Sequence, residues 1–106
     1  MVKRGEICLI NLDPTIGSEI KKARPCVVIS PPEMHDYLRT LIIAPMSTGS
    51  RPAPYRIPVV HAGKTGLILL DQIRTIDKSR IVTRLGILNK ATLVKTLETL
   101  QQIFAP

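Results

Sequence analysis

The side chains best suited to chemistry stand where apolar runs end. Arg24 immediately precedes Pro25, which opens the run PCVVI. The proline biases Arg24 towards extended backbone, so its planar donor fork can project from the rim of a sheet. Ser47 and Thr48 follow LIIAPM and place two hydroxyls at the end of another element. Asp71, Gln72 and Arg74 alternate with apolar neighbours in LILLDQIRTID. A long polar connection, Asp13–Arg24, carries Gly17, Ser18, Glu19, Lys21 and Lys22, and such a loop between short strands is more often functional than a tight turn is. Arginine supplies a permanent charge with a bidentate fork, and a hydroxyl donates or relays a proton. Taken singly, each residue fits a structural role better than a catalytic one: a surface ion pair for Arg24, turn hydroxyls for Ser47 and Thr48, a hydrogen-bond acceptor for Asp71.

Other chemistries find little to rest on. There is no phosphate-cradling glycine loop, no HExxH and no GxSxG. His35 and His61 are distant from one another and from Cys8 and Cys26, so a structural zinc site is not expected and no cofactor is implied. Each histidine reads as a solvated side chain rather than a general base. The cysteines sit in ICLI and PCVVI, where a free thiol packs as a small hydrophobe, unless neighbouring strands bring the two together.

Charge points to a polyanionic partner. Lys and Arg number 15 against 8 Asp and Glu, a net charge of +7. No acid occurs between Asp36 and Asp71, where Arg39, Arg51, Arg56 and Lys64 fall, and a second acid-free stretch runs from Lys78 to Lys95. Such segments suit nucleic acid or an acidic protein, although a generally basic surface explains them equally well. Tyr37, Tyr55 and Phe104 are the only aromatics, too few for a base-stacking platform. No apolar run approaches the roughly 18 residues of a membrane span, and no signal peptide is apparent, so a cytoplasmic protein is expected.

The elements that must position these residues are mostly short strands. Glu6–Leu12, Pro25–Ser30, Leu41–Ala44, Tyr55–Val60 and Gly66–Ile73 are rich in Ile, Val and Leu and bounded by turn residues, with Arg74–Asp77 and Ile81–Leu88 as weaker candidates. Pro58 should confine its strand to a sheet edge or a bulge. The pattern changes at the C-terminus, where Leu93, Leu97, Leu100 and Phe104 recur at helical spacing and Asn89 or Thr92 could cap the start. With 106 residues, one domain spanning 1–106 is expected, built on a small, strongly curved antiparallel sheet or barrel.

Four segments taken together resemble the MazF/PemK/Kid toxins of bacterial toxin–antitoxin systems: KRGEICLINLDPTIGSE (Lys3–Glu19), ARPCVVIS (Ala23–Ser30), APMST (Ala44–Thr48) and LDQIRTIDKSR (Leu70–Arg80). The resemblance implies a mainly β (α+β) fold, an SH3-like β-barrel with a C-terminal α-helix. It implies a homodimeric, metal-independent endoribonuclease that cuts single-stranded RNA at short sequences and leaves 2′,3′-cyclic phosphate and 5′-OH ends. It also implies a cognate antitoxin whose acidic, flexible tail occupies the RNA groove. By position, Arg24 matches the family's catalytic arginine, and Ser47 stands where a catalytic threonine is usual, with Thr48 following. Asp71 and Gln72 match a D/E-Q pair, Asp71 as a possible catalytic or supporting group. Ser18, Glu19, Lys21, Lys22, Gln72 and Arg74 are the implied RNA contacts. The Kid branch's histidine and arginine correspond here to Ser18 and Leu69, so the Arg24–Ser47 arrangement is the better match. Two alternatives remain open: a CcdB-like poison of DNA gyrase, and a barrel that binds nucleic acid and antitoxin without cleaving. The Arg-Pro and Ser-Thr positions favour the nuclease.

Overall fold

The computed structural model describes residues 2–106. Its elements run β1 (Glu6–Asn11), β2 (Ala23–Val28), α1 (Pro32–His35), β3 (Thr40–Ser47), β4 (Arg56–His61), β5 (Lys64–Leu69), a 3-10 turn Leu70–Gln72, β6 (Arg74–Asp77), a 3-10 turn Lys78–Arg80, β7 (Ile81–Ile87) and α2 (Lys90–Phe104). The strands pair antiparallel in the order β4-β5-β3-β2-β1-β7, with β6 also on β3. The path ends on β4 and β7, which do not pair, so the sheet is a curled half-barrel. Mainly β with a C-terminal helix is the architecture expected from the sequence.

The central strands read as continuous apolar runs because both faces are covered. Ile7, Val27, Ala44, Met46, Ile57, Val59 and Ile68 fill one core, against which Leu93 and Leu100 of α2 pack. Cys8, Ile10, Cys26, Val28, Leu41, Ile43 and Ile76 fill the other, joined by Val2, Ile20 and Ile81. Cys8 lies directly opposite Cys26 in the ladder, and both thiols are free and buried. Burial pushes the Cys26 thiol up to about 12, and burial raises Cys8 as well.

Strand β3 organises the sheet. One of its edges serves two partners: Thr40–Ile43 pair with β6, and Met46–Ser47 pair with β5. Pro45, which has no N–H to donate, stands at the handover. The chain crosses that gap in the turn Leu70–Gln72. For this reason the expected strand Gly66–Ile73 stops at Leu69, and Asp71 and Gln72 lie in a turn. β3 itself extends past Ala44 to Ser47. β4 carries Pro58 on the sheet edge, as anticipated, and joins β5 through Ala62 and Gly63. Both residues have positive φ, 52° and 75°, as a two-residue hairpin turn requires.

Two expectations need correction. The α2 apolar stripe centres on Thr96 and Thr99, which are buried, whereas Leu97 is half-buried and Phe104 is 70% exposed at the helix end. The buried threonine hydroxyls donate back to the Thr92 and Lys95 carbonyls, each at 2.8 Å, so they cost no unpaired group. Asn89 is the cap, its side chain accepting from the Thr92 N–H. His35, read as solvated, is only 4% exposed. Its Nδ1 faces the Val2 carbonyl at 3.2 Å, which can only accept, so Nδ1 holds the proton and Nε2 accepts from Ser30 Oγ at 2.6 Å. Ser30 Oγ accepts in turn from the Ile42 N–H. His35 is a core hydrogen-bonding group.

Candidate active site

Arg24 lies in β2, opposite Ile10 of β1. On its other side, Cys26 faces Pro45 of β3, and the same register continued by two residues sets Arg24 opposite Ser47. Residues two apart share a face, so strand geometry alone brings the guanidinium and the hydroxyl to one end of the sheet. Both line a groove of about 370 Å³ with Thr48, Met46 and Pro25. The opposite wall comes from the β4–β5 hairpin, with Val59, His61, Lys64 and Gly66, and Leu85 of β7 closes the rim.

Donor capacity in this groove is largely uncommitted. Arg24 spends its Nε on the Lys21 carbonyl at 3.2 Å, which leaves both terminal nitrogens for an anion. Ser47 is 8% exposed, and its Oγ accepts from the Gly49 N–H at 3.3 Å and from the Ser50 hydroxyl at 3.0 Å. With both lone pairs engaged, Ser47's own proton is the part left to donate. Gly66 is required beside it: a Cβ there would stand 2.9 Å from the Ser47 carbonyl oxygen.

Most of the remaining sequence-derived residues gather around a second cavity of about 390 Å³, with Pro45 in its lining. Ser18, Glu19, Asp71, Gln72 and Arg74 line it over an apolar floor that includes Leu12, Ile20 and Ile73. Several of these side chains hold the loop between β1 and β2. Gln72 Oε1 accepts from the Ile20 N–H at 2.9 Å, and Arg74 donates to the Leu12 carbonyl at 3.1 Å. Glu19 folds back onto the Ile16 N–H at 2.6 Å. Lys22, with φ 68°, closes the loop base through hydrogen bonds to Leu12 and to the Asp13 carboxylate. Lys21 and Lys22 are exposed.

Asp71 is bound by Arg56 in a bidentate pair, Nε to Oδ1 at 3.1 Å and a terminal nitrogen to Oδ2 at 2.9 Å. Those hydrogen bonds hold its carboxyl below the usual carboxylate range. A third Arg56 donor reaches the Arg51 carbonyl at 3.0 Å, tying down the loop that follows Ser47. The structure thus separates the residues matched by position into an Arg24–Ser47–Thr48 groove and a loop-holding set around Asp71. Sequence reasoning passed over Ser50 and Gly66, read His61 as solvated, and counted Arg56 and Lys64 only as basic charge. His61 and Lys64 carried a signal, since they fall inside the acid-free stretch, but their shared wall depends on hairpin pairing, His61 opposite Lys64.

A half-barrel that presents an arginine and a hydroxyl in one groove defines an anion-handling site on a small β fold. The sequence model of the PemK-like, MazF-like toxins of type II toxin–antitoxin systems matches residues 3–104, and the chain belongs to that family. It is 33% identical to Endoribonuclease MazF of Staphylococcus epidermidis, over 90% of this chain and 84% of that protein. It is also 33% identical to Endoribonuclease EndoA of Bacillus subtilis (strain 168), over 95% and 92%. Among solved structures, MazF from Deinococcus radiodurans superposes with a TM-score of 0.84 at 23% identity, over 96% of this chain and 94% of that one. An endoribonuclease in complex with its cognate antitoxin, from a mycobacterial species, gives 0.83 at 20% identity, over 100% and 98%.

Proposed function

We propose that this toxin is a metal-independent endoribonuclease that cuts single-stranded RNA at short sequences. The observation that carries this reading is that Arg24 and Ser47 line one groove, with donors free on both. RNA brings its own nucleophile, the 2′-OH beside the scissile phosphate. Attack forms the P–O2′ bond and breaks the P–O5′ bond, O2′ losing its proton and the leaving O5′ gaining one, so the products are a 2′,3′-cyclic phosphate and a 5′-OH end. The protein has to align the two oxygens and stabilise charge on the phosphoryl oxygens as it builds. The Arg24 fork suits the non-bridging oxygens, and the Ser47 proton supplies a second donor. Lys64 adds positive charge on the facing wall, and His61 brings an imidazole there.

The family relationship and the +7 charge support further parts of the reading: action in the cytoplasm, as one domain spanning the chain, under a cognate antitoxin with an acidic, flexible tail. A tail of that kind competes with RNA by charge complementarity. A homodimer is favoured by the unpaired edges of β4 and β7, where Val60 and Ile87 leave apolar surface exposed. The cavity around Ser18, Glu19, Gln72 and Arg74, with Lys21 and Lys22 on its loop, then extends the RNA path beyond the cleavage groove. No helix of the described residues is long and apolar enough to cross a membrane.

The test is incubation of the purified protein with a long defined RNA in EDTA, followed by mapping of both new ends. Cleavage with cyclic phosphate and 5′-OH termini is expected. Activity that appears only on adding Mg²⁺, or 5′-phosphate termini, refutes the mechanism. Intact RNA alongside inhibition of DNA gyrase would turn the assignment to the gyrase-poison class.

A further inference from the structure

We infer that Ser50 is a positioning residue for the Ser47 hydroxyl, and that the Arg56–Asp71 pair is the brace that keeps Ser50 in place. The inference rests on the endoribonuclease reading above, adds Ser50 and Arg56 to it and gives Asp71 a role through them. Its basis is a continuous chain of contacts. Asp71 grips Arg56 through two hydrogen bonds, at 2.9 and 3.1 Å, and Arg56 holds the Arg51 carbonyl at 3.0 Å. Ser50, the residue before Arg51, donates its hydroxyl proton to Ser47 Oγ at 3.0 Å.

The consequence for Ser47 is directional. A serine hydroxyl free to rotate spreads its proton over three staggered positions. Here the Gly49 N–H and the Ser50 O–H occupy its two acceptor lobes, so its proton is left in the remaining direction. Accepting hydrogen bonds also polarises the O–H and makes it a better donor. Ser50 therefore acts on transition-state stabilisation and makes no contact of its own with RNA. Asp71, although it lines a different cavity, acts on the same hydroxyl through Arg56.

Steady-state cleavage of a short RNA by Ser50→Ala, Ser50→Thr, Asp71→Asn and the Ser50→Ala/Asp71→Asn double variant decides the matter. Affinity for the same oligonucleotide with a 2′-deoxy residue at the cleavage site is measured in parallel. Loss of one neutral hydrogen bond predicts a kcat about 3- to 10-fold lower for Ser50→Ala, with affinity for the uncleavable RNA unchanged. Ser50→Thr keeps the hydroxyl and should recover most of the rate. Asp71→Asn should lower kcat in the same direction, and the double variant should be no slower than the slower single variant. Four results overturn the inference: a wild-type kcat in Ser50→Ala, a loss of RNA affinity in place of kcat, equal impairment of Ser50→Thr, or multiplicative effects in the double variant. A wild-type protein that leaves RNA intact instead refutes the function on which the inference rests.

Discussion

Gly66→Ala should disable the site from the hairpin side without altering any side chain proposed to meet RNA. The added Cβ would lie 2.9 Å from the Ser47 carbonyl oxygen, 3.4 Å from its carbon and 3.6 Å from Thr48 Cγ2. Ordinary contact with a backbone oxygen starts about half an ångström further out, so β5 or the end of β3 must move by roughly that amount. The end of β3 is the part able to yield, because Met46↔Ile68 and Ser47↔Leu67 are its only ladder pairs with β5. Overpacking of this kind costs about 1–3 kcal/mol of stability. A shift of about half an ångström in a transition-state donor should lower kcat by roughly 10-fold, given about 100-fold for a full ångström. The assay pairs kcat on a short RNA with a thermal melt, and Thr65→Ala serves as control because Thr65 is exposed next to Gly66 and does not line the groove. A Gly66→Ala protein with wild-type kcat and melting temperature would refute the claim that close packing of β5 fixes Ser47.

Arg24→Ala and Ser47→Ala should each lower kcat/KM by about 100-fold, since each removes a donor to the developing charge, whereas Thr48→Ala should cost far less; cleavage of a defined RNA measures all three. Lys64→Ala should weaken binding of uncleavable RNA and flatten the log–log salt dependence by about 0.7, the value for one phosphate contact on a single strand, as a salt titration will show. Cys26, raised from 9.0 to about 12 in the fold, stays protonated where the unfolded chain ionises. Stability is therefore full below pH 9 and should fall by roughly 1.4 kcal/mol per pH unit from there towards pH 12, measured by denaturant melts. Cys26→Ser should remove most of that slope.

Much of the scaffold was legible because its causes are local. The strand Arg74–Asp77 has the predicted bounds, the helix lies where Leu93 to Phe104 recur at helical spacing, and Asn89 capping follows from residue type and position. Arg24 and Ser47 could be placed at strand ends from Pro25 and from the turn after LIIAPM. What sequence could not give was strand exchange. Nothing local announces that β3 changes partner at Pro45, and that exchange turns Asp71 and Gln72 out of a strand. The Arg56–Asp71 pair, 15 residues apart, depends on the same event, whereas the wall formed by His61 and Lys64 follows from the β4–β5 hairpin. His35 misled for a different reason: its polar neighbours suggested solvent, while its partners, Val2 and Ser30, come from segments outside its own helix.

The partner exchange along β3 also has a mechanical meaning. Arg24 rides on the long ladder of β1, β2 and β3, while His61 and Lys64 ride on the two-stranded wing β4–β5, which leads into the turn Leu70–Gln72. The two jaws of the groove thus belong to different strand sets, joined edge to edge by two residue pairs and through the core that Ile57, Val59 and Ile68 share with Val27 and Ala44. Levering that wing outward would widen the jaws and unseat Ser47 in a single movement, and it would open the core that Ile57, Val59 and Ile68 fill. An inhibitor seated as a wedge against the wing could silence the toxin while never touching Arg24.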